Sequence, residues 1–106
     1  SYYKASQRLI VPSDNTEFDD CKTADDVNAI LNAKDSSSKI GFQTGTTGQF
    51  YCEGDDDWGF AGLKMTSTGY KNGSLAVQDL LNGNLNYVII DSAPAAAITK
   101  SLNAMQ

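Results

Sequence analysis

Two short stretches hold residues whose types and spacing could do chemistry. The first is "TGTTG" at 44–48, inside "SKIGFQTGTTGQFYCE" at 38–53. Gly45 and Gly48 let a backbone turn tightly and come close to a ligand. The amides around Thr46 and Thr47 would be donors at the start of a helix, and the helix dipole adds about half a positive charge there. Two threonine hydroxyls supply more donors. Such a turn can hold an anion without any cationic side chain. The second is Asp91, which directly follows "NYVII" at 86–90. A carboxylate at the mouth of a buried strand needs a partner, because burying an unpaired charge is expensive.

Phosphate is the first anion to test against the turn. A phosphate loop of the GxxxxGK[ST] kind needs a lysine after its glycines, and none stands there. A dinucleotide loop needs GxGxxG, which "GTTG" does not supply. A carboxylate fits better. Taken alone, each stretch also has a plainer reading: Thr46 as a helix cap with glycines that serve only the turn, and Asp91 as the cap of the following helix. Taken together they suggest more. One loop offers donors to an anion and the other offers an anion to a cation. A free amino acid carries both groups within a few ångströms.

The elements that would position these loops alternate along the chain. "RLIVP" at 8–12 reads as a short apolar strand closed by Pro12, which cannot continue a ladder. "TADDVNAILNA" at 23–33 reads as a helix capped by Thr23, with two acids in its first turn and Val27, Ile30 and Leu31 at helical spacing. "KIGFQ" at 39–43 is a strand, and a helix starts near Thr46 and runs towards Glu53. "LKMTST" at 63–68 alternates like a half-exposed strand. "GSLAVQDLLNG" at 73–83 is the clearest helix: Gly73 or Ser74 caps it, Leu75, Val77, Leu80 and Leu81 form its apolar face, and Gly83 ends it. "LNYVII" at 85–90 is a buried strand, and 92–102 reads as a helix with Pro94 in its first turn. Strand and helix alternating four times predict an α/β fold, a parallel sheet covered by helices on both faces. In such sheets ligands bind beyond the carboxyl ends of the strands, where 43–48 and 91–93 both fall.

Composition excludes several classes. The 106 residues suit one domain. A net charge of −5 with 8 Lys+Arg gives no basic footprint for nucleic acid. There is no histidine, so the usual general base and the commonest metal ligand are missing. Cys21 and Cys52 cannot make a four-ligand zinc site; they could form one disulfide or stay separate thiols. Asp55, Asp56 and Asp57 read as a solvated acidic loop, and Trp58 and Phe60 as aromatics folded back on the core. No cofactor or metal is expected. The ends, "SYYKASQ" and "ITKSLNAMQ", read as cuts inside a longer protein.

The motifs as a set resemble one family. "IGFQTGTTGQFY" followed by "AVQDLLNGNLNYVIIDSAPA" resembles the second lobe of the solute-binding proteins of amino-acid ABC transporters, the type 2 periplasmic binding protein fold. "SYYKASQRLIV" looks like the segment that enters that lobe from the hinge. The resemblance covers nearly the whole chain and implies that residues 1–106 are one Rossmann-like lobe, with the first lobe absent. It implies a three-layer α/β/α sandwich whose sheet is mostly parallel, with the first strand (8–12) antiparallel to the rest. It assigns the ligand α-carboxylate to Thr46 and Thr47, with Gly45 shaping the turn, and the α-ammonium to Asp91. Gln43 would line the pocket, and Tyr70 and Ala93 are weaker candidates.

Arg8 does not match the first-lobe arginine that pairs with the carboxylate in the family. The family's "DAVI" reads "NYVI" at 86–89 here, which should affect packing rather than the site. The implied partners are a small polar amino acid, the first lobe and a membrane permease, in the periplasm or outside the cell. The exposed cleft face could drive self-association of an isolated lobe. A second reading is the ligand-binding lobe of an extracellular sensor, a receptor kinase or ligand-gated channel. A third is an enzyme of the cyclohexadienyl dehydratase kind, which needs an acid or base in the cleft; with no histidine the candidates are Asp91 and Glu53. The expectation is a binding protein, not an enzyme.

Overall fold

Alternation along the strands decides which side of the sheet each helix covers. The computed structural model describes residues 7–91 and 99–105. Its elements run β1 (Gln7–Pro12), α1 (Ala24–Asn32), β2 (Lys39–Gln43), α2 (Thr47–Glu53), β3 (Thr66–Tyr70), α3 (Gly73–Leu81), β4 (Tyr87–Ile90) and β5 (Thr99–Met105). In β1, Leu9 and Val11 join a cluster on one face while Ile10 joins a cluster on the other. In β4, Tyr87 and Ile89 go to the first face and Val88 and Ile90 to the second. Ile40 and Phe42 of β2 fill the first face. On the second face Gly41 leaves the room taken by Leu85 and the Tyr70 ring, which would lie 2.7 Å and 2.9 Å from a β-carbon there.

The first cluster is closed by Val27 and Leu31 of α1 and by Tyr51 and Cys52 of α2. The second is closed by Ala76, Val77 and Leu80 of α3. The molecule is therefore the expected three-layer α/β/α sandwich, with α1 and α2 on one face and α3 on the other.

The sheet order is β3-β2-β4-β1-β5. β2 pairs in parallel with both β3 and β4. β1 runs antiparallel to β4 and to β5. The first strand is thus the reversed one, as expected, and the other four share a direction. The return from β3 to β4 passes over β2 on the α3 face. This places the carboxyl ends of β2 and β4 side by side at the centre of one sheet edge.

Two elements differ from the sequence reading. β3 lies at 66–70 rather than 63–68. Leu63 and Met65, which supplied the apolar half of the alternation, pack into the first cluster from the incoming loop. The strand itself is polar and mostly exposed at the edge of the sheet. The helix expected over 92–102 is not present in its second half: Thr99–Met105 is strand, pairing with β1 from Pro12↔Thr99 to Gln7↔Met105. Pro94 in a first turn suggested a helix, but such local signals are a weak prior, and the open edge of β1 supplies a ladder partner. Residues 92–98, Ala93 among them, lie outside the described residues.

The helix ends explain where each helix stops and starts. Thr23 caps α1 in a capping box: its Oγ1 accepts from the Asp26 amide at 3.2 Å, and the Asp26 carboxylate accepts from the Thr23 amide at 3.3 Å. α3 is capped by Asn72, one residue before the sequence reading, with Oδ1 accepting from the Leu75 amide at 3.0 Å. It ends in a Schellman turn. The Gly83 amide donates to the Leu80 carbonyl at 3.1 Å and the Asn84 amide to the Asp79 carbonyl at 3.0 Å. Leu75 and Leu81, expected on the apolar face, are exposed. The buried stripe is instead Ala76, Val77 and Leu80. Cys21 and Cys52 are both free thiols rather than a disulfide. Phe60 does fold back, its ring edge-on to Tyr51 at 6.1 Å.

Candidate functional site

The turn after β2 forms at the centre of the carboxyl edge, with Thr46 as the N-cap of α2. Gly45 has φ +84°, a backbone region that disfavours any residue with a β-carbon. The Gly45 amide donates to Gln49 Oε1 at 2.8 Å, and the Thr44 amide to the Tyr70 carbonyl at 2.9 Å. The Thr46 hydroxyl does not cap its helix. It turns back and donates to the Gln43 carbonyl at 2.6 Å, closing the turn on the end of β2. Thr47 is buried, 8% exposed. The Thr46 side chain leaves the first turn of α2 uncapped, and the Gln49 amide there donates to the Thr46 carbonyl at 3.1 Å.

Asp91 follows β4 and is exposed. Gln7, at the start of β1, is fully buried, and its Nε2 donates to Asp91 Oδ1 at 2.5 Å. The same carboxamide touches α2. A β-carbon on Gly48 would sit 2.8 Å from Gln7 Oε1, 3.3 Å from the Ile89 carbonyl oxygen and 3.4 Å from Thr46 Oγ1. The lack of a side chain at 48 is what lets the first turn of α2 descend onto the ends of β4 and β1. One carboxamide therefore lies between the threonine turn and Asp91.

Tyr70 ends β3 opposite Gln43, but its ring lies on the α3 face. Its hydroxyl donates to Asp79 Oδ2 at 2.6 Å. Burial, and then this bond to a carboxylate, push the Tyr70 phenol up to about 12. The structure thus brings together 43–48, Gln7 and Asp91, and gives the Tyr70 side chain a partner on α3. Glu53 is at the far end of α2, about 9 Å along the axis from Thr47 at 1.5 Å per residue. Its Oε1 accepts from Gln49 Nε2 at 3.1 Å. Among the described residues there is no group of three or more potential metal ligands, and no helix long and apolar enough to cross a membrane.

Comparison with protein-family models gives no match, and neither does comparison with curated proteins. Solved structures do match. An ancestral cationic amino-acid solute-binding protein, AncCDT-1, superposes with a TM-score of 0.63 at 20% identity, over 96% of this chain and 40% of that one. An ancestral arginine-binding protein bound to arginine gives 0.57 at 27% identity, over 96% and 42%. The arginine-bound form of truncated ArgBP from T. maritima gives 0.59 at 22% identity, over 99% and 44%. The chain has the fold of one lobe of an amino-acid solute-binding protein. It spans about two fifths of the length of these structures.

Within such a lobe, the residues singled out from the sequence sort by their elements. Thr46, Thr47 and Gly45 belong to one turn, Gln43 to the strand end beneath it, and Asp91 to the neighbouring strand end. Gln7 is the member that sequence reasoning missed. Its only signal was a polar residue at the mouth of "RLIV", and a strand alone does not say which strand end it will face.

Proposed function

We propose that this lobe is the amino-acid-binding half of an ABC-transporter solute-binding protein, and that residues 1–106 are its second lobe. The ligand α-carboxylate sits on the turn at 45–48, met by the main-chain amides of Thr46 and Thr47. The Thr46 hydroxyl is held inside the turn on Gln43, so its part is to fix the turn's shape. Asp91 takes the α-ammonium, and Gln43 lines the pocket. The single observation behind this reading is the placement of the threonine turn and Asp91 at adjacent parallel strand ends, bridged by one buried carboxamide. The arginine complex at 27% identity supports a cationic amino acid as ligand. A net charge of −5 would draw such a solute in.

The first lobe would close over the ligand by hinge motion, and the closed protein would dock on a membrane permease from the periplasmic or extracellular side. The lobe is a binding module and not an enzyme. Of the two candidates for a dehydratase-like acid or base, Glu53 lies at the far end of α2, about 9 Å along its axis from Thr47. A sensor lobe would present the same site.

An amide-resolved NMR titration tests the reading. A lobe lacking its partner's charged contacts should bind in the millimolar range, about −4 kcal/mol. Arginine at millimolar concentration is expected to shift amides at 45–48 and 91. Asp91→Ala is expected to abolish those shifts, and Asp56→Ala, in the exposed acidic loop, to leave them unchanged. Equal loss in both variants, or shifts elsewhere, overturns the site.

A further inference from the structure

We propose that Gln7 is a positioning residue of this site, a role that rests on the assignment of Asp91 as the ammonium ligand. Gln7 is 0% exposed although it is polar and begins a strand. A side-chain donor so deeply buried needs an acceptor. Across 84 residues of sequence, its Nε2 reaches Asp91 Oδ1 at 2.5 Å. The register brings the two together: Arg8 faces Ile90, so Gln7 and Asp91 lie one step beyond that pair.

The bond acts in one direction. Gln7 is fixed by burial, and its Oε1 is closed in by the first turn of α2 at Gly48. Asp91 is exposed and follows β4, and the bond from Gln7 is the side-chain contact described for it. An exposed carboxylate left alone samples several χ1 wells. A charge-assisted bond from a fixed donor selects one of them. With Oδ1 held inward, Oδ2 is the oxygen offered to a cation. The same carboxamide contacts α2, so it also sets the spacing between Asp91 and the threonine turn. That spacing is the quantity that matches the two charged groups of an α-amino acid. Glutamine suits the position because it donates. A glutamate would set two carboxylates against each other.

The test uses Gln7→Met, which keeps the length of the side chain and removes the donor. Two readouts are taken on the full chain. The first needs no ligand: three-bond couplings from the Asp91 backbone nitrogen and carbonyl carbon to Cγ report χ1. A single χ1 is expected in the unsubstituted protein and an average over wells in Gln7→Met. The second compares arginine with its analogue lacking the α-amino group. Gln7→Met is expected to weaken arginine about tenfold, the loss of one charge-assisted bond, and to leave the des-amino analogue within twofold.

An unchanged Asp91 χ1 in Gln7→Met overturns the proposal. Equal weakening of both compounds also overturns it, since it would mean a purely structural role. Should Gln7→Met fail to fold, Gln7→Leu, also apolar and without a donor, carries the same two readouts. It is expected to leave Asp91 averaging over wells and to reduce the preference for arginine. If χ1 changes as expected but the unsubstituted protein binds no amino acid, Gln7 still positions Asp91 and the amino-acid reading fails.

Discussion

At the scale of single residues, the two glycines of the turn are constrained for opposite reasons, and this separates their predicted effects. Gly45 has a left-handed backbone and open space around it, with nothing within 4 Å of a would-be β-carbon. Gly45→Ala should therefore cost about 1–2 kcal/mol from backbone strain alone. Gly48 has no left-handed backbone, but it has the Gln7 carboxamide and the Ile89 carbonyl against it. Gly48→Ala should cost about 1–3 kcal/mol by overpacking, and should push α2 away from β4. Urea unfolding measures both losses. Only Gly48→Ala is expected to shift the side-chain amide resonances of Gln7.

Tyr70→Phe offers a third contrast. It deletes the bond to Asp79 on the α3 face and should cost about 1 kcal/mol while leaving any amino-acid shifts at 45–48 intact. The sequence made the glycine–threonine turn and Asp91 legible, because both are local patterns of residue type. It did not show that the Thr46 hydroxyl turns inward or that Gln7 stands between the two loops. Those facts depend on which strand ends meet.

At the scale of elements, local signals read well where a cap or a core-facing stripe was at work. Thr23 and its two acids, β2 at 39–43 and the Gly83 stop on α3 each follow from side chains within a few residues. The reading failed where a neighbour decided. β5 is strand because β1 has an open edge, and β3 is carried by its ladder with β2 rather than by its own apolar residues.

The loop between β1 and α1 is likewise held by partners distant in sequence. Glu17 accepts from the Tyr87 hydroxyl at 2.6 Å and from Asn15 Nδ2 at 2.9 Å, and pairs with Lys34 at 2.7 Å. Burial alone would raise the Glu17 carboxyl, but Lys34, Tyr87 and Asn15 together outweigh it and hold it below its ordinary value. A carboxyl lowered by folding adds stability above its unfolded pKa, about 4.3, and that stability is lost as pH falls through the folded value. Glu17→Gln should therefore be less stable than the unsubstituted protein at pH 7, with the gap narrowing towards pH 3. Denaturant midpoints at the two pH values measure it. A gap that stays constant would mean that the charge of Glu17 contributes nothing.

At the scale of the whole molecule, one sheet separates two apolar clusters, and the thiols report on one of them. Cys52 is 1% exposed, inside the cluster that β1, β2 and β4 share with α1 and α2. Burial first, and then the neighbouring Glu53 charge, push its thiol up to about 12. Cys21 packs at the rim of the same cluster and is partly exposed. Its thiol is raised more modestly, by partial burial and then by Asp26 and Asp20. The thiolate is the reactive form, so Cys52 is protected twice, by access and by protonation. In the native protein at pH 8, an alkylating reagent should modify Cys21 first. Cys52 should react only as fast as that face of the sandwich opens.

Mass spectrometry over time should show a single adduct that accumulates before the second appears. Adding urea below the unfolding midpoint should speed the second step far more than the first. A core-loosening change on the α1 face, such as Leu31→Ala, expected to cost about 2–5 kcal/mol, should speed Cys52 labelling in step with the lost stability. If Cys52 were instead labelled at the rate of Cys21 in the folded protein, α2 would not be seated on the sheet. The threonine turn at its head would then not be held against β4, and the site built there would lose its support.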